Sequence, residues 1–152
     1  MIMGNIKPKI VKKPWGNEHW LADGIRTPYA LKKITFLKGQ QSSLQVHKFK
    51  YETNYVLSGN GILLLREEIF DVDKYLASDD KSSFQAEINS GLRELLINSG
   101  DVIDVKPGQI HRVVAKSDLI FIEASTSELD DVIRLSDDTG RGNGKIQSEH
   151  ES

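Results

Sequence analysis

The sequence predicts an all-β barrel or sandwich. Short runs of β-forming residues recur at nearly even spacing. Gly, Pro, Asn or Asp separates most of them, and no segment sustains a helical period. With 152 residues the chain is long enough for one domain with its own core.

The elements follow in chain order. Residues 1–13 are basic, with four Lys and Pro8, and read as an arm or an edge strand. Pro14-Trp15-Gly16 is a turn signal, and a short apolar segment, 18–22, follows it. Residues 29–37 are rich in β-formers and stop at Lys38-Gly39. Residues 43–47 form a short strand candidate. The runs 53–57 and 61–66 flank Ser58-Gly59-Asn60, a hairpin turn. Further strands are expected at 92–97, 102–105, 111–115 and 119–124. The stretch 67–98 reads as an insertion. It is expected to hold one helical turn at 72–77 and a hairpin that pairs 84–88 with 92–97. The barrel is bounded at 14–135, and 136–152 is expected to be a polar, flexible tail.

Composition removes several function classes. At 38% hydrophobic and 28% charged, this is the profile of an ordinary globular protein. The formal net charge of −2 gives no bulk case for nucleic acid or an anionic membrane. There is no Cys, so disulfides, thiolate metal sites and Cys nucleophiles are excluded. No apolar run spans a bilayer, and no secretory signal pattern opens the chain; a cytoplasmic protein is expected.

Two segments carry chemistry. One contains Gln45, His47 and Glu52; the other contains His111 just after Pro107-Gly108. Side chains alternate along a strand, so Gln45 and His47 share a face. Two imidazoles, a carboxylate and an amide oxygen suit one divalent ion: Zn, Mn, Fe, Co or Ni. A lone strand His is more often a packed or surface residue, and His19 and His150 are read that way. For Trp15, plugging one end of the barrel is weighed above stacking on a ligand.

At these residues the sequence resembles the cupins. Gly39, His47, Glu52 and Gly59 match the first cupin motif; Gly100, Asp101, Gly108 and His111 match the second. Within cupins it is similar to the type II phosphomannose isomerase group, including the cupin domain of mannose-1-phosphate guanylyltransferases. Lys13-Pro14-Trp15-Gly16, Ser43-Leu44-Gln45-Val46-His47, the run 105–113 and the run 128–141 carry that closer match. Phe49 stands where the usual second motif His would be, Pro107 is displaced by one place, and Ala115 replaces a common Asn. Gln45 is the substitute ligand that the resemblance implies.

The resemblance implies a single-domain jelly roll and a metal-dependent aldose–ketose isomerase working through an enediolate. Mannose 6-phosphate is the model substrate. A phosphorylated or activated sugar also needs cations, and Lys50, Arg112, Arg134 and Arg141 are the candidates, with Lys32 and Lys33 behind them. Glu18, Glu123 and Asp131 are the carboxylates considered for the base, with none singled out. A homodimer is expected. The competing functions are a nucleotide-sugar ketoisomerase or epimerase of polysaccharide synthesis and a non-catalytic sugar-binding cupin, with an Fe(II) dioxygenase behind both.

Overall fold

In the computed structural model, residues 4–128, 130–136 and the backbone of 144–145 are described. Alternating burial shows why the strands form where they do. Strand β3 (Ala30–Phe36) buries every second residue and leaves the others half exposed. β9 (His111–Ala115) and β10 (Leu119–Ser125) show the same two-residue period. The other strands are β1 (Lys9–Lys13), β2 (Gly16–Asp23), β4 (Leu44–Val46), β5 (Glu52–Ser58), β6 (Asn60–Arg66), β7 (Leu92–Asn98), β8 (Val102–Val105), β11 (Ile133–Ser136) and β12 (Gly144–Lys145).

They form two six-stranded antiparallel sheets, ordered β1-β2-β3-β10-β5-β8 and β12-β11-β4-β9-β6-β7. One core lies between the inner faces. Ile34, Phe36, Val56 and Phe121 of the first sheet meet Leu63, Leu65, Ile97 and Val113 of the second. Trp15 stacks on Phe36 at 4.3 Å between ring centroids and is buried in this core. Gly59 makes the β5–β6 turn possible. Its φ is +86°, and a Cβ there would lie 2.1 Å from the Asp118 carbonyl oxygen.

The expected strands appear except that at 84–88, and the first 13 residues contribute the edge strand β1. The hairpin expected within 67–98 does not form. Residues 81–84 are a 3-10 turn and α2 (Gln85–Asn89) is helical, while β7 pairs with β6 instead. Phe84 and Ile88 sit four residues apart on one helical face, and burying both outweighs their β propensity. The helical turn at 72–77 is present as α1 (Val72–Ala77), capped by Asp71, whose side chain accepts from the Lys74 N–H at 3.0 Å. Together these pieces cover the outer face of β4 and β11. Phe70, Tyr75 and Phe84 pack against Leu44, Val46, Ile133 and Leu135, a second core outside the barrel. Most of the expected tail, 136–152, lies outside the described residues. Among the described residues, no helix is long and apolar enough to cross a membrane.

Candidate metal centre

Three buried side chains converge inside the barrel. His47 follows β4, Glu52 opens β5 and His111 opens β9, and one ligand atom from each lies within 4.8 Å of the others. The pairing explains the meeting. Gln45 on β4 is the register partner of His111 on β9, so residues 66 apart in sequence face one another.

Both imidazoles are oriented from behind. His47 Nδ1 donates to the Asp131 carbonyl at 2.6 Å, and His111 Nδ1 donates to the Gln109 carbonyl at 3.0 Å. A carbonyl can only accept, so each ring carries its proton on Nδ1 and presents the Nε2 lone pair to the interior. These lone pairs face Glu52, with His47 Nε2 3.8 Å from Oε2 and His111 Nε2 3.6 Å from Oε1. Neither contact is an ion pair, because burial above all holds His47 near pKa 3 and His111 near 4, and the Lys50 charge depresses both further. Acceptors therefore face acceptors, and His47 Nε2 is buried without a hydrogen-bond partner. That arrangement is costly unless a cation lies between the groups. The donor set therefore fits a divalent metal, with imidazole and carboxylate ligands already oriented.

Gln45 reaches the same point, but its Nε2 is the atom 3.4 Å from His111 Nε2, while Oε1 accepts from the Ser43 hydroxyl at 3.0 Å. Turning the amide over would place its oxygen toward the two imidazoles, with the Ser43 hydroxyl accepting from the nitrogen.

A row of alternating charge flanks the ligands. Lys50 Nζ lies 3.2 Å from Glu52 and 3.5 Å from Glu123. Burial is the largest single influence on the Glu52 pKa and raises it, but the Lys50 ammonium, a hydrogen bond from Glu123 and the Lys32 charge together outweigh it and hold the carboxyl below its ordinary range. Glu123 is pushed the other way, to about 7, by burial and by the Glu52 charge. On β3, Lys32 is the cross-strand partner of Glu123 and pairs with Glu18 at 3.2 Å, beneath Trp20.

The cavity in front of this row is lined by Gln45, His47, Lys50, Glu52, Asn54, His111, Glu123 and Arg134, with Lys13, Glu18 and Lys32 toward the β2–β3 side. Trp15, Phe36, Leu63 and Phe121 form its apolar floor. Of the candidate cations, Lys50, Arg134 and Lys32 line the cavity. Arg112 is turned away from it, donating to the carbonyls of Ser42 at 2.8 Å and Ser136 at 3.4 Å. Lys33 is on the outer face of β3, and Arg141 is outside the described residues. Of the candidate bases, the Asp131 carboxylate is taken up by backbone N–H groups, Glu18 is bound to Lys32 and Trp20, and Glu123 lines the cavity. His19 lies on the outer side of β2, away from the site; His150 is outside the described residues.

Asn54 was not foreseen, although its position two residues after Glu52 on one strand places it on the same face. The carbonyls of Gln109 and Asp131, which fix the two imidazoles, left no sequence signal, because every residue has a carbonyl.

No protein-family model matches the sequence, and a search of curated proteins finds no relative. Solved structures do match. CapF, the capsular polysaccharide assembling protein of Staphylococcus aureus, covers 88% of this chain and 34% of its own at 15% identity, with a TM-score of 0.63. The S161A mutant of Bacillus subtilis oxalate decarboxylase OxdC covers 84% of this chain and 30% of its own at 20% identity, TM-score 0.60. The plu4264 protein of Photorhabdus luminescens covers 83% of this chain and 90% of its own at 17% identity, TM-score 0.54. The chain spans about a third of the length of the first two. These likenesses show the fold alone: an all-β jelly roll of two antiparallel sheets.

Proposed function

We propose that the chain is a metal-dependent cupin sugar isomerase that interconverts an aldose and a ketose, with a hexose phosphate such as mannose 6-phosphate as substrate. One observation carries this reading. A donor set with two preset imidazole lone pairs shares its pocket with Glu123, a carboxyl poised to give or take a proton near neutral pH.

His47, Glu52 and His111 would hold the ion, with Gln45 as a fourth ligand once its amide is turned. A divalent ion there supplies positive charge beside the carbonyl and neighbouring hydroxyl oxygens of the sugar. Glu123 takes the proton from the hydroxyl-bearing carbon, and the C–H electron pair becomes the new C=C bond as the carbonyl oxygen gains charge. Glu123 then returns the proton to the former carbonyl carbon, while the hydroxyl proton passes to the former carbonyl oxygen and the neighbouring oxygen becomes the carbonyl. Lys50 holds Glu52 ionised through this exchange. Arg134 and Lys32 line the cavity, and in this reading they would meet the phosphate.

The test is conversion of mannose 6-phosphate to fructose 6-phosphate with Zn, Mn, Co or Ni added in turn. Metal-dependent turnover that Glu123→Gln removes supports the reading; no turnover with any metal and this sugar sinks it. The fold shared with a capsular polysaccharide assembling protein favours a second reading, a ketoisomerase or epimerase of nucleotide sugars. Turnover of a nucleotide sugar in place of the hexose phosphate would select it. We also propose a homodimer, with the edge strand β1 as the surface available for pairing.

A further inference from the structure

The loop between β4 and β5 has no strand partner of its own, yet it carries His47 and Lys50. The His47 ring and the backbone N–H groups of residues 48–51 all go to two residues, Thr126 and Asp131. His47 Nδ1 donates to the Asp131 carbonyl. The Asp131 carboxylate accepts the backbone N–H of Lys48 at 3.1 Å on one oxygen, and those of Phe49 at 2.5 Å and Lys50 at 2.8 Å on the other. The Tyr51 N–H goes to Thr126 Oγ1, and the Thr126 N–H returns to the Tyr51 carbonyl, both at 3.1 Å. Five consecutive residues are thus fixed from one place, 75 to 84 positions further along the chain.

We infer that Asp131 is a positioning residue that sets two parts of the centre at once: its carbonyl orients the His47 ring, and its carboxylate places the loop that delivers Lys50 to Glu52 and Glu123. The physical reason is the shared backbone. Three N–H donors on one carboxylate hold residue 131 in place, and only then does its carbonyl meet His47 Nδ1. This inference rests on reading His47 as part of a metal centre, and the experiment separates the two.

The apo protein is labelled with 15N, and Asp131→Ala is compared with wild type and with Asp118→Ala. Asp118 is a control of similar reach, since its carboxylate accepts the Lys38 N–H from 80 positions away and lines no part of the cavity. In Asp131→Ala, exchange protection at Lys48 and Lys50 should fall, and the His47 ring should lose its fixed Nδ1–H tautomer while His111 keeps its own. Co2+ affinity should drop about 10–100-fold. Asp118→Ala should leave both ring tautomers and Co2+ affinity unchanged. A folded Asp131→Ala protein with an intact His47 tautomer and Co2+ affinity equal to the control overturns the inference. If Asp131→Ala does not fold, Asp131→Asn keeps one acceptor oxygen for three donors and should show the same changes at smaller size; no change there also overturns it. If wild type binds no Co2+, the metal reading fails, and the tautomer and exchange data still decide the role of Asp131.

Discussion

Lys50 Nζ lies 3.5 Å from Glu123 Oε2, so the ammonium bridges a carboxyl outside the three-residue ligand cluster and, at 3.2 Å, one inside it. The three groups are buried together, and one ammonium faces both carboxyls. Replacing Lys50 by Met leaves two carboxyls without a counter-charge. The loss should be about 3–5 kcal/mol where both are ionised. Without Lys50 the depression of the Glu52 pKa is relieved and the Glu123 pKa rises further, so the native state binds protons that the unfolded chain does not. The deficit should therefore be larger at pH 8 than at pH 5.5. Urea unfolding at the two pH values checks this; an equal deficit at both would contradict it.

The metal-free wild-type protein should lose stability as pH falls from about 7 to about 4. His47 and His111 bind protons near 6.5 when unfolded but only near 3 and 4 when folded. Below 6.5 the unfolded chain therefore takes up two protons that the native state refuses. Glu123 opposes this between 4.5 and about 7, where the native state holds a proton that the unfolded chain lacks. The net difference is about one proton, or about 1.4 kcal/mol per pH unit. Denaturation in chelator at pH 6.5 and 5 measures it. A midpoint that holds or rises toward pH 5 would show that the imidazoles are not buried neutral.

Metal binding should fail in His47→Ala and in His111→Ala and persist in His19→Ala and His150→Ala. Excess metal should raise the melting temperature of the wild type, because the ligand set exists only in the folded state. Calorimetric titration and thermal melts with Zn or Co read both effects. No binding and no melting shift in wild type would leave a jelly-roll barrel without this centre.

The 67–98 segment should matter to the site although it touches no ligand. Phe84→Ala empties part of the aromatic cluster behind Leu44 and Val46, at a cost of about 3–5 kcal/mol. Metal affinity should weaken with it, because Gln45 and His47 lie on and just after the strand that this cluster backs. A stable variant with unchanged affinity would make the segment a cover only.

How much of this was legible beforehand follows from the range of each interaction. Strand positions, the β5–β6 hairpin and the shared face of Gln45 and His47 are local, set by a two-residue period and by turn residues such as Gly59. The sequence alone therefore determined an all-β fold and singled out the side chains that could hold an ion. Residues 84–88 were misjudged because their helical form depends on burial against β4 and β11, which local propensity does not contain. The tertiary structure alone decided that Glu123 faces the cavity with its pKa raised by burial and Glu52, while Glu18 is bound to Lys32 and Trp20 and the Asp131 carboxylate is taken up by backbone N–H groups. It also decided that Arg112 turns away and that two backbone carbonyls fix the imidazoles. Carboxylates look alike in a sequence; what separates them is which charges and N–H groups the fold brings within a few ångströms, from segments up to 84 residues apart.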